Sequence, residues 1–214
     1  MILILPSLLK IVPDVNIETV SAIALGIGLS ASTGFRVFIP LLVAGLASHF
    51  GALPLGESFA WMGSTPALLC FGVASVAEIL AYYIPFIDNL LDSVEMPLSI
   101  AAGTLLMTSV FPSASEWMKW ILGFIIGGGV AITVQSGSAI TRLMSSKITI
   151  GSGNHVFSTT EGIVAIVISV LAVVVPIFVA ILVPVLIVVI LRTVYYKLLK
   201  KKKRQTNREI EDME

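Results

Sequence analysis

Two clusters of serine and arginine recur in this sequence with the same spacing. Residues 30–36 read Ser-Ala-Ser-Thr-Gly-Phe-Arg, and residues 136–142 read Ser-Gly-Ser-Ala-Ile-Thr-Arg. At an offset of 106 positions, the matched side chains are Ser30, Ser32 and Arg36 in the first cluster and Ser136, Ser138 and Arg142 in the second. A guanidinium binds a carboxylate or a phosphate through paired hydrogen bonds, and serine hydroxyls donate further ones. We therefore predict that these residues bind a small or amphiphilic anion bearing a phosphate or a carboxylate.

The same offset of 106 positions aligns the only two histidines, His49 and His155, which favours an internal duplication. We predict that both histidines lie in matched loops near an interface. They are too far apart in the sequence for their spacing to indicate a metal pair. Each arginine also has a simpler interpretation, in which it reaches an interface or pairs with an acid. For Arg142 the simpler interpretation is favoured, whereas for Arg36 anion binding and the simpler interpretation are equally supported.

Glu78 lies well inside an apolar segment that runs from about Ser64 to Pro85. An ionisable side chain within hydrocarbon is costly and commonly belongs to a proton or ion pathway. We therefore predict that Glu78 carries a coupling proton. A structural ion pair with Arg36 is compatible with that role, and we expect this pair because each residue is the only charge in its apolar run.

Three acids, Asp88, Asp92 and Glu95, follow at helical spacing and would share one helix face. Carboxylates so placed can bind a cation, which gives an alternative metal site. The favoured interpretation is a helix start, with Asp92 and Glu95 as a capping box and Pro97 near the first turn. No cofactor is predicted, because no phosphate-binding loop, dinucleotide fingerprint or haem-ligand spacing is present.

Composition defines the class of protein. Hydrophobic residues make up 57% of the 214 residues, charged residues make up 12%, and the mean hydropathy is +1.01. Apolar runs of about 20 residues, enough for a helix to cross the ~30 Å hydrocarbon core, recur along the chain. We predict an all-α, polytopic helical membrane protein with about six spans. With a single cysteine, Cys70, neither a disulfide framework nor a thiolate metal site is expected.

The predicted organisation is two three-span repeats, the second inverted relative to the first, as in many secondary transporters. Residues 1–18 form an interfacial segment, 19–110 the first repeat, 111–198 the second, and 199–214 a charged tail. We predict broken helices at 26–36 and 127–138, where glycine and serine concentrate. Residues 162–191, with their flanks up to Lys197, are predicted as two short crossings with a turn near Pro176; one long kinked helix is the alternative. Segments 19–49 and 117–146 either cross the membrane or are re-entrant.

Basic residues predict the orientation of the chain. Eight of the 13 Lys and Arg residues lie between Arg192 and Arg208, whereas loop 51–63 holds none. Because basic segments beside spans stay in the cytoplasm and contact anionic lipid, we predict a cytoplasmic C-terminus in the inner membrane. Lipid contact explains this tail better than nucleic-acid binding does.

Several stretches resemble a known family. These are Gly28 to Pro40, Phe59 to Pro66, Glu78, and Ile84 to Asp92. They are similar to an uncharacterised bacterial family of small polytopic integral membrane proteins, described only as a domain of unknown function. The resemblance spans about 20–200 and implies a membrane fold, but it implies no activity.

The sequence thus predicts a transporter of a small or amphiphilic anion, with proton coupling through Glu78. A cation carrier centred on Asp88, Asp92 and Glu78 is one alternative. A non-transporting scaffold or lipid-binding protein is another. An enzyme is not expected, because the only protease-like feature, Gly28-Leu-Ser-Ala, lacks the rest of such a pattern. The expected partners are the bilayer and a small-molecule or lipid substrate, and so small a body is compatible with a homodimer.

Overall fold

The computed structural model describes the backbone of residues 17–81, 85–111, 115–149, 154–185, 187–189, 192 and 195. It describes their side chains except those of residues 85–93, 143–149 and 154–157. The predicted interfacial segment, apart from its last two residues, and the charged tail lie outside the described residues. The prediction of an all-α chain is confirmed for the described part, which contains helices and no strand.

The helices follow one another with short connections. In chain order they are α1 (Ile17–Thr33), α2 (Phe38–His49), a 3₁₀ helix (Glu57–Gly63), α3 (Thr65–Ala81), α4 (Pro85–Val110), α5 (Glu116–Leu122), a π-helical turn (Gly123–Gly128), α6 (Gly129–Thr149) and α7 (Asn154–Val174). Residues 176–185 form a further helix, α8. Helix α1 is central, because it contacts α2, α4, α6 and α7 and is buried along most of its second half.

The first predicted break is observed, and it lies between α1 and α2 at residues 34–37. The chain turns there against α6, with Gly34 at the closest approach. A Cβ on Gly34 would lie 2.6 Å from the Cβ of Val134 and 2.7 Å from the carbonyl oxygen of Ala131. Glycine is therefore required for the chain to pack this closely on α6, and the turn directs Arg36 into the protein interior.

The second predicted break, at 127–138, is not observed, because the chain stays helical from Glu116 to Thr149. The glycine-rich stretch instead forms the π-helical turn and packs closely on α4. A Cβ on Gly127 would lie 2.6 Å from the Cβ of Met107 and closer still to the carbonyl oxygen of Gly103. These glycines therefore allow two helix backbones to touch and do not end the helix.

The start of α4 also differs from the prediction. The sequence predicts a helix start at Asp92, whereas helix α4 begins at Pro85 and runs through Asp92 and Pro97. The capping-box interpretation of Asp92 and Glu95 is therefore wrong, since Glu95 lies inside the helix and is buried. The predicted end of this segment, at Val110, is confirmed.

Residues 162–191 contain a helix boundary at the position that we predicted. Helix α7 ends at Val174 and α8 starts at residue 176. The Val175 N–H donates to the Leu171 carbonyl at 2.7 Å, and the Val179 N–H donates to the Val175 carbonyl at 3.3 Å. The first bond ends α7 and the second begins α8, so the helix is interrupted next to Pro176, whose nitrogen has no proton to donate. That α7 and α8 are two separate crossings stays a prediction.

Burial in this structure is partly inverted relative to a water-soluble domain. Buried positions include two arginines and three glutamates, whereas long rows of leucine, isoleucine and valine are exposed. One helical stretch, Glu116–Arg142, is long and apolar enough to cross a bilayer. The 3₁₀ helix and α3 are bent by 62° at their junction, and counted together as one span they form a second such stretch. The other apolar helices in the described residues are shorter, and the number of spans stays a prediction.

The close contact of Gly127 with α4 gives a first testable prediction. We expect Gly127→Ala to lower the free energy of unfolding by about 1–3 kcal/mol, because the added methyl group has no space. Gly129→Ala is the matched control, since nothing lies within 4 Å of a Cβ built there. It should be neutral or stabilising by up to about 1 kcal/mol, through helix propensity. Thermal unfolding of both purified variants measures the difference, and equal effects would contradict this packing.

Candidate functional site

The two arginines singled out by the repeat converge on one carboxylate, that of Glu161 on α7. Arg36 places Nη2 3.8 Å from Glu161 Oε2, and Arg142 Nη2 donates a hydrogen bond to the same oxygen. The hydroxyl of Ser138 donates to the other oxygen, Oε1. Glu161 is buried, as are both arginines, so this contact lies inside the protein. The cluster therefore joins the α1–α2 break, α6 and α7.

Arg36 forms hydrogen bonds with α7 in addition to its ion pair with Glu161. Its Nη2 donates to the backbone carbonyl of Ser158 at 3.0 Å and to the Ser158 hydroxyl at 2.5 Å. The arginine side chain is fully buried. Ser158 and Glu161 are three residues apart on one helix and so lie on the same face. One turn of α7 therefore supplies both a carbonyl and a carboxylate to this guanidinium.

Glu95 extends the cluster towards α4. Its Oε2 accepts a hydrogen bond from Gln135 Nε2 at 2.8 Å and lies 4.0 Å from Arg142 Nη1. Arg142 thus lies between two buried carboxylates, those of Glu161 and Glu95. The other oxygen of Glu95, Oε1, has no hydrogen-bond partner among the described residues.

Glu78 lies beside this cluster but binds backbone groups. Its two oxygens accept hydrogen bonds from the N–H groups of Val37, at 2.8 Å, and Phe38, at 3.1 Å. Amides at a helix start have no intrahelical partner, so Glu78 supplies from α3 the acceptors that α2 needs. Arg36 acts on Glu78 electrostatically, but the described acid within ion-pair distance of Arg36 is Glu161. The direct Arg36–Glu78 pair that we predicted is therefore replaced by an indirect arrangement.

The predicted serines have different environments. Ser30 donates to the Gly103 carbonyl at 2.8 Å, which ties α1 to α4. Ser32 donates to the Leu29 carbonyl, and its oxygen lies 2.8 Å from the hydroxyl of Ser169 on α7. Ser138 lies in the arginine cluster, while Ser136 is partly buried. The structure thus brings together Arg36, Ser138 and Arg142, whereas Ser30 and Ser32 take part in helix packing.

The other predicted site residues are not observed in the arginine cluster. The imidazole Nδ1 of His49 lies 2.8 Å from the Gly63 carbonyl oxygen, an exposed contact that ties α2 to the 3₁₀ helix. The side chains of Asp88, Asp92 and His155 lie outside the described residues. Within the described part of the chain, no three His, Cys, Asp or Glu side chains are grouped to hold a metal ion.

Glu161 is the central residue that the sequence interpretation missed. It lies between the predicted loop that ends at Thr160 and the apolar run that begins at Gly162, and the sequence interpretation gave it no role. One signal could have identified it: Glu161 is the only acid between Glu116 and Glu209. An arginine buried in that region needs a negative partner, and this is the only one available nearby in the sequence.

Comparison with known families gives one match. A family model described as a domain of unknown function (DUF4126) matches residues 23–195. These limits include all five buried charged residues described above. No curated protein and no solved structure matches the chain significantly.

The position of Glu161 gives a second prediction, on stability. We expect Glu161→Gln to lower the free energy of unfolding by about 3–5 kcal/mol, because two buried guanidinium groups lose their shared negative charge. The matched control is Glu116→Gln, which removes an exposed carboxylate 3.1 Å from Lys119 Nζ. That change should stay within about 0.5 kcal/mol. Thermal unfolding of both variants measures the two changes in the free energy of unfolding. Changes of comparable size would contradict the central position of Glu161.

Proposed function

Since the chain belongs to the DUF4126 family, whose function is unknown, we propose its activity from its own residues. We propose that it is a membrane transporter that couples a proton to the movement of a small or amphiphilic anion bearing a carboxylate or a phosphate. The observation that carries this proposal is the convergence of buried Arg36 and Arg142 on Glu161. In this view, the Glu161 carboxylate occupies the place that the anion takes.

The exposed surface supports a membrane location. Apolar side chains cover the outward faces of α3, α5 with the π-helical turn, and α7. They are Leu69, Val73, Val76 and Leu80; Trp117, Trp120, Ile121, Phe124 and Ile125; and Ile163, Ile166, Val167, Val170 and Val174. Water-soluble monomers rarely expose contiguous apolar patches on this scale, whereas a bilayer covers them at no cost. The charged residues lie inside, as is usual for ionisable groups at membrane depth.

We place the protein in the cytoplasmic membrane of a bacterium as a multi-pass protein with its C-terminus in the cytoplasm. The basic residues from Arg192 to Arg208 support this orientation, because such segments are retained on the cytoplasmic side.

The proposed mechanism exchanges one anion for another. With Glu161 ionised, its carboxylate forms ion pairs with the guanidinium groups of Arg36 and Arg142. When a proton binds Glu161, the carboxyl group becomes neutral and its attraction to the guanidinium groups falls. A substrate carboxylate or phosphate then takes its place, with Arg142 able to offer paired hydrogen bonds. Loss of the proton restores the Glu161 carboxylate and expels the substrate, so proton and anion move together.

This mechanism assigns the coupling proton to Glu161 in place of Glu78. Both oxygens of Glu78 already accept backbone hydrogen bonds at the start of α2. These bonds hold the start of α2 next to Arg36. Glu78 therefore fits a supporting role, in which it fixes the backbone that carries the arginine.

A third prediction tests the membrane location. The three tryptophans, Trp61, Trp117 and Trp120, are all exposed. After reconstitution into vesicles, brominated phospholipids should quench their fluorescence relative to unbrominated lipids of the same chain length, because exposed apolar faces contact the acyl chains. Iodide in the aqueous phase should quench less. Strong iodide quenching with no effect of bromine would contradict the membrane proposal.

A fourth prediction tests transport. Proteoliposomes with a pH gradient should accumulate at least one anion from a panel of acetate, succinate, inorganic phosphate and a short alkyl phosphate. Arg36→Lys keeps the charge but loses the planar fork, so flux should fall by about 10–100-fold, the equivalent of one charge-assisted hydrogen bond of about 1.5–3 kcal/mol. Glu161→Gln should make any remaining flux independent of the pH gradient.

The control for transport is Lys119→Gln, which removes a cation from the exposed pair with Glu116 and should leave flux unchanged. Flux that survives both Arg36→Lys and Arg36→Ala would contradict the anion site. Flux of cations alone would favour the carrier centred on the acids, and no flux of any solute would favour a scaffold.

A further inference from the structure

A cavity of about 270 Å³ is lined by residues of α2, α3 and α4 and by Val37, just before α2. Its lining is mainly apolar, with two acids. The lining residues are Val37, Phe38, Ala74, Ala77, Glu78, Ala81, Glu95 and Leu98. No arginine or lysine is among them. Among the described residues, the cavity lining therefore combines hydrocarbon walls with carboxylate oxygens and includes no positively charged side chain.

The two acids of the cavity differ in whether a carboxylate oxygen can still accept a hydrogen bond. Glu78 uses one oxygen for the Val37 N–H and the other for the Phe38 N–H. Glu95 uses Oε2 for Gln135 and Arg142, while its Oε1 is buried and has no hydrogen-bond partner among the described residues. Glu95 as a whole is 1% exposed. A buried acceptor left unsatisfied costs about 1–3 kcal/mol, and more when charged, so this oxygen lacks a donor that a ligand can supply.

We propose that this cavity binds a small organic amine as its ammonium ion, with the N–H donors on Glu95 Oε1 and the hydrocarbon part against the alanines and Leu98. The ammonium group provides what is missing at this oxygen, since it brings positive charge and three donors. The alanines leave the space that the hydrocarbon part fills.

The size of the cavity limits the hydrocarbon part. An apolar cavity of about 150 Å³ binds benzene. The present cavity, at about 270 Å³, accommodates a six-carbon ring with an ammonium group and leaves space for little more. An inorganic cation such as sodium would leave most of this space empty and the apolar walls uncovered. The lining therefore favours an organic cation over a bare metal ion.

The experiment measures equilibrium binding to the purified full-length protein, with three probes that share one ring. Cyclohexylammonium tests the proposal, cyclohexanol tests the apolar contribution, and cyclohexanecarboxylate tests the opposite charge. Equilibrium dialysis of the protein in detergent, corrected with protein-free micelles, gives each affinity. We expect the ammonium to bind at least about tenfold more tightly than the alcohol, the difference expected for a charge-assisted hydrogen bond. The carboxylate should bind weakest.

Two variants locate the bound amine. Glu95→Gln should remove the preference for the ammonium over the alcohol. Because Glu95 also contacts Arg142, this variant can fold poorly, so Ala77→Phe is the second. Ala77 is exposed on one side and lines the cavity, and a phenyl ring there should fill it and lower binding of both the ammonium and the alcohol at least tenfold. Val76→Phe, on the outward face of α3, is the matched control and should leave binding unchanged.

Equal affinities for cyclohexylammonium and cyclohexanol would overturn the proposal, because the cavity would then recognise only the ring. Unchanged ammonium binding in Ala77→Phe would also overturn it, since the amine would bind elsewhere. So would the absence of measurable binding of the ammonium to the folded protein. These outcomes are separate from the transport proposal, because they measure equilibrium binding of a cation and involve neither anion flux nor a pH gradient.

Discussion

The shared carboxylate of Glu161 is the interaction on which the arrangement of this protein depends. A guanidinium buried among apolar helices is costly unless an opposite charge and hydrogen-bond acceptors surround it. Two such groups, Arg36 and Arg142, lie against one carboxylate, so three separate parts of the chain must meet at one point. The α1–α2 break, the middle of α6 and the second turn of α7 cannot shift independently. A helix that moved would leave a charge unneutralised.

This requirement gives the irregular features of the fold a physical reason. The break at 34–37 ends α1 against α6 and turns Arg36 inwards, and it leaves the first amides of α2 without intrahelical partners. Glu78 on α3 accepts hydrogen bonds from two of these amides, so the break brings a second buried acid into the centre of the bundle. Gly34 and Gly127 allow the close backbone contacts that a bundle with a polar interior needs. With these charged side chains gathered inside, the outward faces are left apolar.

Sequence reasoning predicted the helical class, the first break and the importance of both arginines, because each has a local signal. Apolar runs predict helices, glycine and serine predict a break, and an arginine in an apolar run is conspicuous.

Sequence reasoning failed where the outcome depends on tertiary contacts. A run of glycines is compatible with a break or with close packing, and only the contact with Gly103 decides in favour of packing. Asp92 and Glu95 fit a capping box locally, but the burial of Glu95 against Gln135 follows from the position of α6. Arg36 and Glu78 are neighbours in the fold, yet the break directs the guanidinium towards α7.

The duplicated serine–arginine pattern also has a different meaning in three dimensions. The sequence suggested that the serines and arginines of both clusters alike bind an anion. In the structure the arginines of both clusters contact the same glutamate, so the repeat contributes two halves of one centre. The serines have diverged in role, since Ser30 and Ser32 hold helices together while Ser138 donates to Glu161. A single centre with two cations and one shared carboxylate has a property that two separate sites lack. A change in the charge of Glu161 acts on Arg36 and Arg142 together, so the two halves of the chain are electrostatically linked at this residue.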